Sequence, residues 1–481
     1  VPPRVAALDT NNEDVAVATR LLVERVRGED YENSLEWYRQ ALADVLHRLP
    51  SANRPSFLAW ASRYPRAVRN ALIRAYQYVR VGVLKRADFF SKAFVKFEKM
   101  LKAKGADLWA TYKPRLIESM TPSMNVIGGP SSAAFANALK QQFANSRCMM
   151  YAGGAQREDL ALFREWALAR IPGAKQFKLD RNGMDASQTY SLRNVTIECI
   201  QAENHLCGET GKAHKFLNAK HCAYTRGGRR IKSQGRQFTG LWTTTTINTS
   251  ISFGAQRANL YHTLHHHGLV QLAYEQREFE MGRSERGHWA MMSLGDDAVL
   301  FISPALAPYY DVDWEAQLAL RPASGECGDS VRFLSGMFYP CEAYEWQGQV
   351  LTTIHGPLLF RQYAKQGWDL HYDGHEHEHL RGDMIGHAKE WSAIPILNNV
   401  KDATLRLLGH GRAIFETKWQ QRPSSALFHR ASGATYEFLG RVYSLTSQAV
   451  ADFEHFVDDL QELPAAGMEH IVEQGLESDL N

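Results

Sequence analysis

Nowhere in this 481-residue chain does an apolar run approach the ~20 residues a helix needs to cross a bilayer, which excludes a helical membrane span. A charged segment followed by an apolar stretch is likewise missing from the start, so no secretory signal peptide is visible. Val1 stands where Met would open a chain, which leaves room for an anchor in a preceding segment. Cysteine is scarce and scattered: Cys148, Cys199, Cys207, Cys222, Cys327 and Cys341 lack paired spacing, which argues against a disulfide framework and for a reduced, intracellular setting. Charge of one sign is not in excess either. The net charge is only +3, which argues against a coat of non-specific nucleic-acid binding over the whole surface and leaves room for local basic channels. Repeats and low-complexity tracts are absent.

What is present is a chain 44% hydrophobic and long enough to bury large cores. The N-terminal third reads as helical. Asn33 with Glu36 makes a capping box, and Leu35, Tyr38, Leu42, Val45 and Leu49 form one apolar stripe that Pro50 closes. Gly128-Gly129-Pro130-Ser131-Ser132 reads as a loop before a helical stretch from Ala133 to Gln142. Basic residues gather twice, at Lys92, Lys96, Lys99, Lys102 and Lys104, and at Arg226, Arg229, Arg230, Lys232 and Arg236. After Pro340 the chain is mixed and His-rich, and from Asp402 onward it reads as mostly helical.

The strongest chemical feature is Gly295-Asp296-Asp297, set between the apolar runs His288 to Leu294 and Ala298 to Ile302. That pattern predicts a β-hairpin with two carboxylates at its tip, a hard oxygen site suited to Mg²⁺ or Mn²⁺. Upstream, a strand-like alternation from Phe177 ends in Asp180, with Asp185 five positions on. Two-metal phosphoryl transfer needs carboxylates from more than one element, and Asp180 with Asp296 supplies them. Between them, Thr239-Gly240 leads into a stretch with Thr244 and Asn248 four apart, which share a face if the stretch is a helix. Thr243 to Ile251 is so β-branched that propensity alone predicts a strand.

In this order and spacing the chain resembles the RNA-dependent RNA polymerases of positive-strand RNA viruses. Asp180-x4-Asp185 looks like their motif A, Thr239-Gly240-x3-Thr244-x3-Asn248 like motif B, and Gly295-Asp296-Asp297 like motif C. Phe94-Val95-Lys96-Phe97-Glu98-Lys99 with Lys113-Pro114-Arg115-Leu116-Ile117 is similar to motif F, in wording closest to tombusvirus-like and nodavirus-like enzymes. Phe333 to Pro340 looks like the motif E turn.

The resemblance implies a helix-rich α+β right-hand polymerase fold of fingers, palm with an antiparallel sheet, and thumb. Residues 1–170 would be the N-terminal region and fingers, 171–205 palm, 206–237 a fingers segment, 238–345 palm, and 346–481 thumb and C-terminal region. It calls for a helix at Thr244 and Asn248, against propensity. It implies RNA-templated RNA synthesis that replicates a viral genome, with Asp180, Asp296 and Asp297 catalytic and holding Mg²⁺ or Mn²⁺. Asp185, Thr244 and Asn248 would bind the NTP ribose, so that a missing 2′-hydroxyl leaves polar groups unpaired. Lys96, Lys99, Lys113 and Arg115 would contact NTP phosphates or RNA, and Thr239 and Gly240 would form the loop under the template base. Partners would be template and product RNA, nucleoside triphosphates, and viral or host replication proteins. The setting would be the host cytoplasm, at membrane-associated replication complexes reached through a segment or partner outside this chain.

Two departures stand out. Thr239 replaces the usual Ser of motif B, and no lysine occurs between Asp297 and Lys365 to act as the motif D general acid. Arg321 is the nearest basic residue, but guanidinium is too weak an acid for that role. Neither His205, Cys207, His214, His221 and Cys222, nor His375-Glu376-His377-Glu378-His379, whose imidazoles would share one face of a strand, has a recognised zinc spacing. The rival readings are a reverse transcriptase, separated by its use of dNTPs, and a non-enzymatic RNA-binding replication protein, separated by its lack of metal-dependent NTP incorporation.

Overall fold

Alternating and continuous apolar runs become strands, and stripes of period 3.6 become helices, in an α+β arrangement with mixed sheets. The computed structural model describes residues 4–7, 16–17, 25–51, 53–82, 84–96, 99–102, 115–145, 148–181, 183–237, 239–322, 325–363, 374–415 and 424–461. In chain order the strands are β1 (Arg4–Ala7), β2 (Phe90–Val95), β3 (Lys99–Lys102), β4 (Leu116–Met120) and β5 (Met149–Tyr151). Next come β6 (Lys175–Leu179), β7 (His221–Thr225), β8 (Arg230–Ser233), β9 (Trp289–Leu294) and β10 (Asp297–Ile302). Last come β11 (Gly325–Glu326), β12 (Arg332–Phe333), β13 (Gly336–Trp346) and β14 (Gln349–Pro357).

The central sheet has the order β11-β6-β10-β9-β5, antiparallel except where β5 joins β9. Both faces are covered, which is why β9 and β10 read as continuous apolar runs rather than alternating ones. Met291, Leu300 and Ile302 face a large core with the helices Tyr31–His47, Tyr190–Ala202 and Thr244–His266, while Met292, Val299 and Phe301 face Leu160 and Ala167 of the helix Arg157–Arg170. A second sheet, β4-β2-β7-β8, and a third, β12-β13-β14, flank this centre. The third packs with the helices Pro395–Leu408, Gly433–Tyr443 and Ser447–Asp458 in a separate core. Among the described residues no helix is long and apolar enough to cross a membrane.

Three local expectations are corrected. The stripe from Leu35 to Leu49 is buried as its spacing demands, but its helix starts at Tyr31, and the Asn33 side chain donates to Asp30 Oδ2 at 2.9 Å instead of capping. Glu36 lies close to Arg39 Nε, at 3.5 Å. Gly128 to Ser132 is no loop, because a single helix, Pro122–Asn145, runs through Pro130. Those glycines make room for aromatic rings: a Cβ on Gly128 would fall 1.7 Å from the Trp242 ring, and Ser132 Oγ donates to the Trp242 carbonyl at 2.7 Å. His375 to His379 is the start of the helix Glu376–Trp391, not a strand, so its three imidazoles do not all share one face.

The β-branched stretch is a helix, Thr244–His266, buried along most of its length. Its hydroxyls return to the preceding turn: Thr249 Oγ1 donates to the Thr245 carbonyl at 2.7 Å and Ser250 Oγ to the Thr246 carbonyl at 2.8 Å. Satisfying its polar groups internally lets a Thr- and Ser-rich helix enter the core, where packing overrides propensity.

Candidate active site

Register places the carboxylates. Leu294 pairs with Asp297, so Gly295 and Asp296 alone make the turn between β9 and β10, with Gly295 at φ 70°, a conformation glycine adopts without strain. Leu179 at the end of β6 lies opposite Ala298 of β10, which brings Asp180 beside the hairpin tip. The helix Thr244–His266 fixes that tip: Thr249 Oγ1 accepts from the Gly295 amide at 2.8 Å. Arg181, which follows Asp180 and is fully buried, donates to the Asp296 carbonyl at 3.2 Å and to Ser252 Oγ at 2.7 Å. Its guanidinium is gripped by Glu315 through Nε at 2.7 Å and Nη2 at 2.5 Å. Gln256 donates to the same carboxylate at 2.6 Å and accepts from Tyr310 at 2.7 Å, completing a buried network behind the site.

Asp180, Asp296 and Asp297 line one cleft of about 910 Å³. Burial is the main force raising the Asp297 carboxyl, pushed up to about 7, and the charges of Asp296 and Asp180 add to it. Asp296 is also raised, first by burial, with Asp180 adding and Arg181 and Arg115 opposing. Asp296 is nevertheless exposed to solvent where it lines the cleft. Lys178 Nζ lies 3.4 Å from Asp180 Oδ2 and offsets part of this crowded negative charge. Among the described residues no three His, Cys, Asp or Glu side chains are gathered tightly enough to chelate an ion as they stand. The donor set nonetheless fits a hard divalent cation, because mutually repelling carboxylate oxygens are what such an ion neutralises.

A second cluster shares the cleft. Asp185 Oδ1 accepts from Asn248 Nδ2 at 2.7 Å and Oδ2 from Thr239 Oγ1 at 3.0 Å. Asn248 Oδ1 in turn accepts from Gln188 at 2.9 Å, and Gln237 donates to Thr244 Oγ1 at 3.1 Å. Burial raises the Asp185 carboxyl, while its Asn248 and Thr239 hydrogen bonds pull it back. Glu118 on β4 also lines the cleft, is 2% exposed, and is pushed up to about 8 by burial and then by Asp185. Burial and the Asp185 charge thus both favour the protonated form of Glu118.

The cleft thus gathers Asp180, Asp185, Thr239, Thr244, Asn248, Asp296, Asp297 and Arg115. Gly240 is absent from its lining: it lies against β4, bridged to Ser119, and a Cβ there would meet the Glu118 carbonyl at 2.2 Å. The Thr239 hydroxyl is committed to Asp185 rather than to a free loop. Lys96 does not line the cleft either; it follows the last residue of β2, and its backbone amide donates to the Arg115 carbonyl at 2.8 Å. Lys99 lies on β3, whose side chains, like all of Lys113, are outside the described residues. Arg321 is exposed and does not line the cleft.

Sequence reasoning missed Lys178, Arg332 and Arg361, which supply the cleft with further cations, as well as Glu118, Gln188 and Arg181. Period-two alternation would have found Lys178, two positions before Asp180 on the same strand face. The β12–β13 turn also borders the cleft, with Leu334 and Ser335 both left-handed, at φ 49° and 58°. The His and Cys groups hold ordinary partners: His214 bonds Thr243 at 3.1 Å, His221 bonds Ser91 at 2.9 Å, and His205 bonds the Leu46 carbonyl at 3.2 Å. Compared with known proteins, the chain matches no family model and no curated protein.

Proposed function

We propose that the protein is an RNA-directed RNA polymerase, with the central sheet as palm, the β4-β2-β7-β8 sheet in the fingers, and the helices after Pro395 in the thumb. The observation that carries this reading is the Asp185–Asn248 hydrogen bond, 2.7 Å, in the cleft that also holds Asp180, Asp296 and Asp297. Residues far apart in sequence, of the types that ribose selection and phosphoryl transfer require, share one cavity large enough for a nucleotide.

Asp180 and Asp296 would hold the divalent ions, with Asp297 supporting them. When bound, such ions activate the primer hydroxyl and neutralise the triphosphate and departing pyrophosphate. Arg115, Arg332 and Arg361 supply fixed positive charge for the triphosphate, and Arg181 holds the hairpin tip so that its carboxylates need not reorganise. Asp185 and Asn248 present oriented polar atoms to the ribose 2′-hydroxyl. With Arg321 outside the cleft, Lys178 is the lysine lining it among the described residues. Its closeness to Asp180 fits charge balance better than proton delivery.

The test is primer-independent extension on a defined RNA, with NTPs and dNTPs in separate reactions. Complementary RNA product made from NTPs supports the reading. Product from dNTPs alone points to a reverse transcriptase, and no product in either reaction with intact RNA binding leaves a non-enzymatic RNA-binding protein.

A further inference from the structure

Among the described residues, the sheet β4-β2-β7-β8 has one packed face and one open face. Ala93, Val95, Leu116 and Ala223 point inward and form a small core, and Glu118 on that side reaches the cleft. By alternation the other face carries Phe90, Lys92 and Phe94 of β2, Tyr224 of β7, and Arg230 and Lys232 of β8. Register sets them in rows across the strands: Phe90 opposite Cys222 opposite Lys232, and Lys92 opposite Tyr224 opposite Arg230. The Phe90 and Tyr224 rings lie 5.3 Å apart, and Phe94 is 42% exposed. At the Phe90 end the face opens into a groove of about 780 Å³, where Phe216 is 40% exposed beside Phe89 and Lys220 adds another cation. Among the described residues, neither the groove lining nor the outward positions of these strands include Asp or Glu.

A solvated sheet face is ordinarily polar and mixed in charge. Rings interleaved with cations of a single sign suit a ligand that is both polyanionic and flat-faced. A second copy of this face would set cation against cation, and an acidic peptide would satisfy the charges but leave the rings unmatched. A duplex keeps its base faces stacked inside.

We propose that this open face is a second polynucleotide surface, separate from the cleft, which holds an unpaired stretch of RNA with bases on Phe90, Phe94 and Tyr224 and phosphates on Lys92, Arg230 and Lys232. The choice of RNA over DNA rests on the proposed function; the stacking surface does not.

The experiment is fluorescence anisotropy of the full chain with a labelled, uridine-rich RNA of about 16 nucleotides across a salt series. The paired substitution Phe94→Ala and Tyr224→Ala, at partly solvent-facing positions, should weaken binding roughly 30-fold, with an unchanged circular dichroism spectrum. Lys92→Gln with Lys232→Gln should flatten the log-log salt slope by about 1.4, two phosphates' worth. Ultraviolet crosslinks should map to the peptides containing Phe90 to Phe94 and Tyr224. Wild-type affinity in the aromatic variant, an equal loss for duplex RNA, competition by polyglutamate as strong as by RNA, or crosslinks confined to cleft peptides would each overturn the proposal. Tighter binding of the matching single-stranded DNA would overturn the RNA assignment. Loss of binding in the aromatic variant of a protein that makes no RNA would keep the surface and refute the polymerase.

Discussion

Replacing Asn248 by Ala removes two buried hydrogen bonds at once: the 2.7 Å donation to Asp185 Oδ1 and the 2.9 Å acceptance from Gln188. The first is charge-assisted when Asp185 is ionised, and such bonds contribute about 1.5–3 kcal/mol. If that orientation is what reads the 2′-hydroxyl, the preference for NTP over dNTP should fall roughly 10- to 100-fold, at about 1.4 kcal/mol per decade. Direction matters as much as size. Burial already raises the Asp185 carboxyl and Asn248 pulls it down, so the variant should hold its proton to higher pH and move the acidic limb of the pH–rate profile upward. Single-nucleotide incorporation with matched NTP and dNTP, repeated across pH, measures both. Unchanged discrimination with an unmoved profile would refute the ribose-reading role of the Asp185–Asn248 pair.

Lys178→Gln should likewise shift the acidic limb upward, because its ammonium helps Asp297 ionise; a profile that stays in place would separate Lys178 from the site. Glu315→Gln leaves the buried Arg181 guanidinium without its counter-charge and should cost about 3–5 kcal/mol in urea unfolding, whereas a near-neutral result would show that the network does not hold the hairpin. Burial would lower His387, but Asp383 and Glu390 hold it up at about 9 from an ordinary 6.5. The stability it contributes is therefore complete below pH 6.5 and lost as pH rises through 9, and His387→Gln should flatten the wild-type decline in Tm over that window. Asp297 keeps a proton in the fold up to about 7 that the unfolded chain sheds near 3.8, so folding stability falls across that interval. Mg²⁺ should raise Tm more at about pH 8 than at about pH 6, and an equal gain at both would count against Asp297 as part of the ion site.

Local chemistry carried part of this site into the sequence. The Asp296-Asp297 hairpin was legible because a glycine turn between two apolar runs has few alternative conformations, and Asp180 because it ends a strand. Other features depended on contacts across long separations. Arg181 and Glu315 lie 134 positions apart, and nothing near either one signals a buried ion pair. Glu118 follows Arg115 in an ordinary alternating strand, and only the approach of Asp185 gives its carboxyl its character. The glycines at 128 and 129 imitate a loop because their packing against Trp242 and Trp60 is invisible locally. In the helix Thr244–His266, burial and hydroxyl back-bonding outweighed the β-propensity of its first turns.

In the proposed function, Asp180 and Asp296 support metal-dependent, template-directed nucleotide addition. Incorporation of labelled NTP on a defined RNA template, by wild type, Asp180→Ala and Asp296→Ala, with EDTA and then with Mg²⁺ or Mn²⁺ restored, tests it directly. Product should form with the wild type only, be lost with EDTA and return with the metal, while both variants still bind RNA. Substantial incorporation by either purified variant, or by wild type in EDTA, would contradict it.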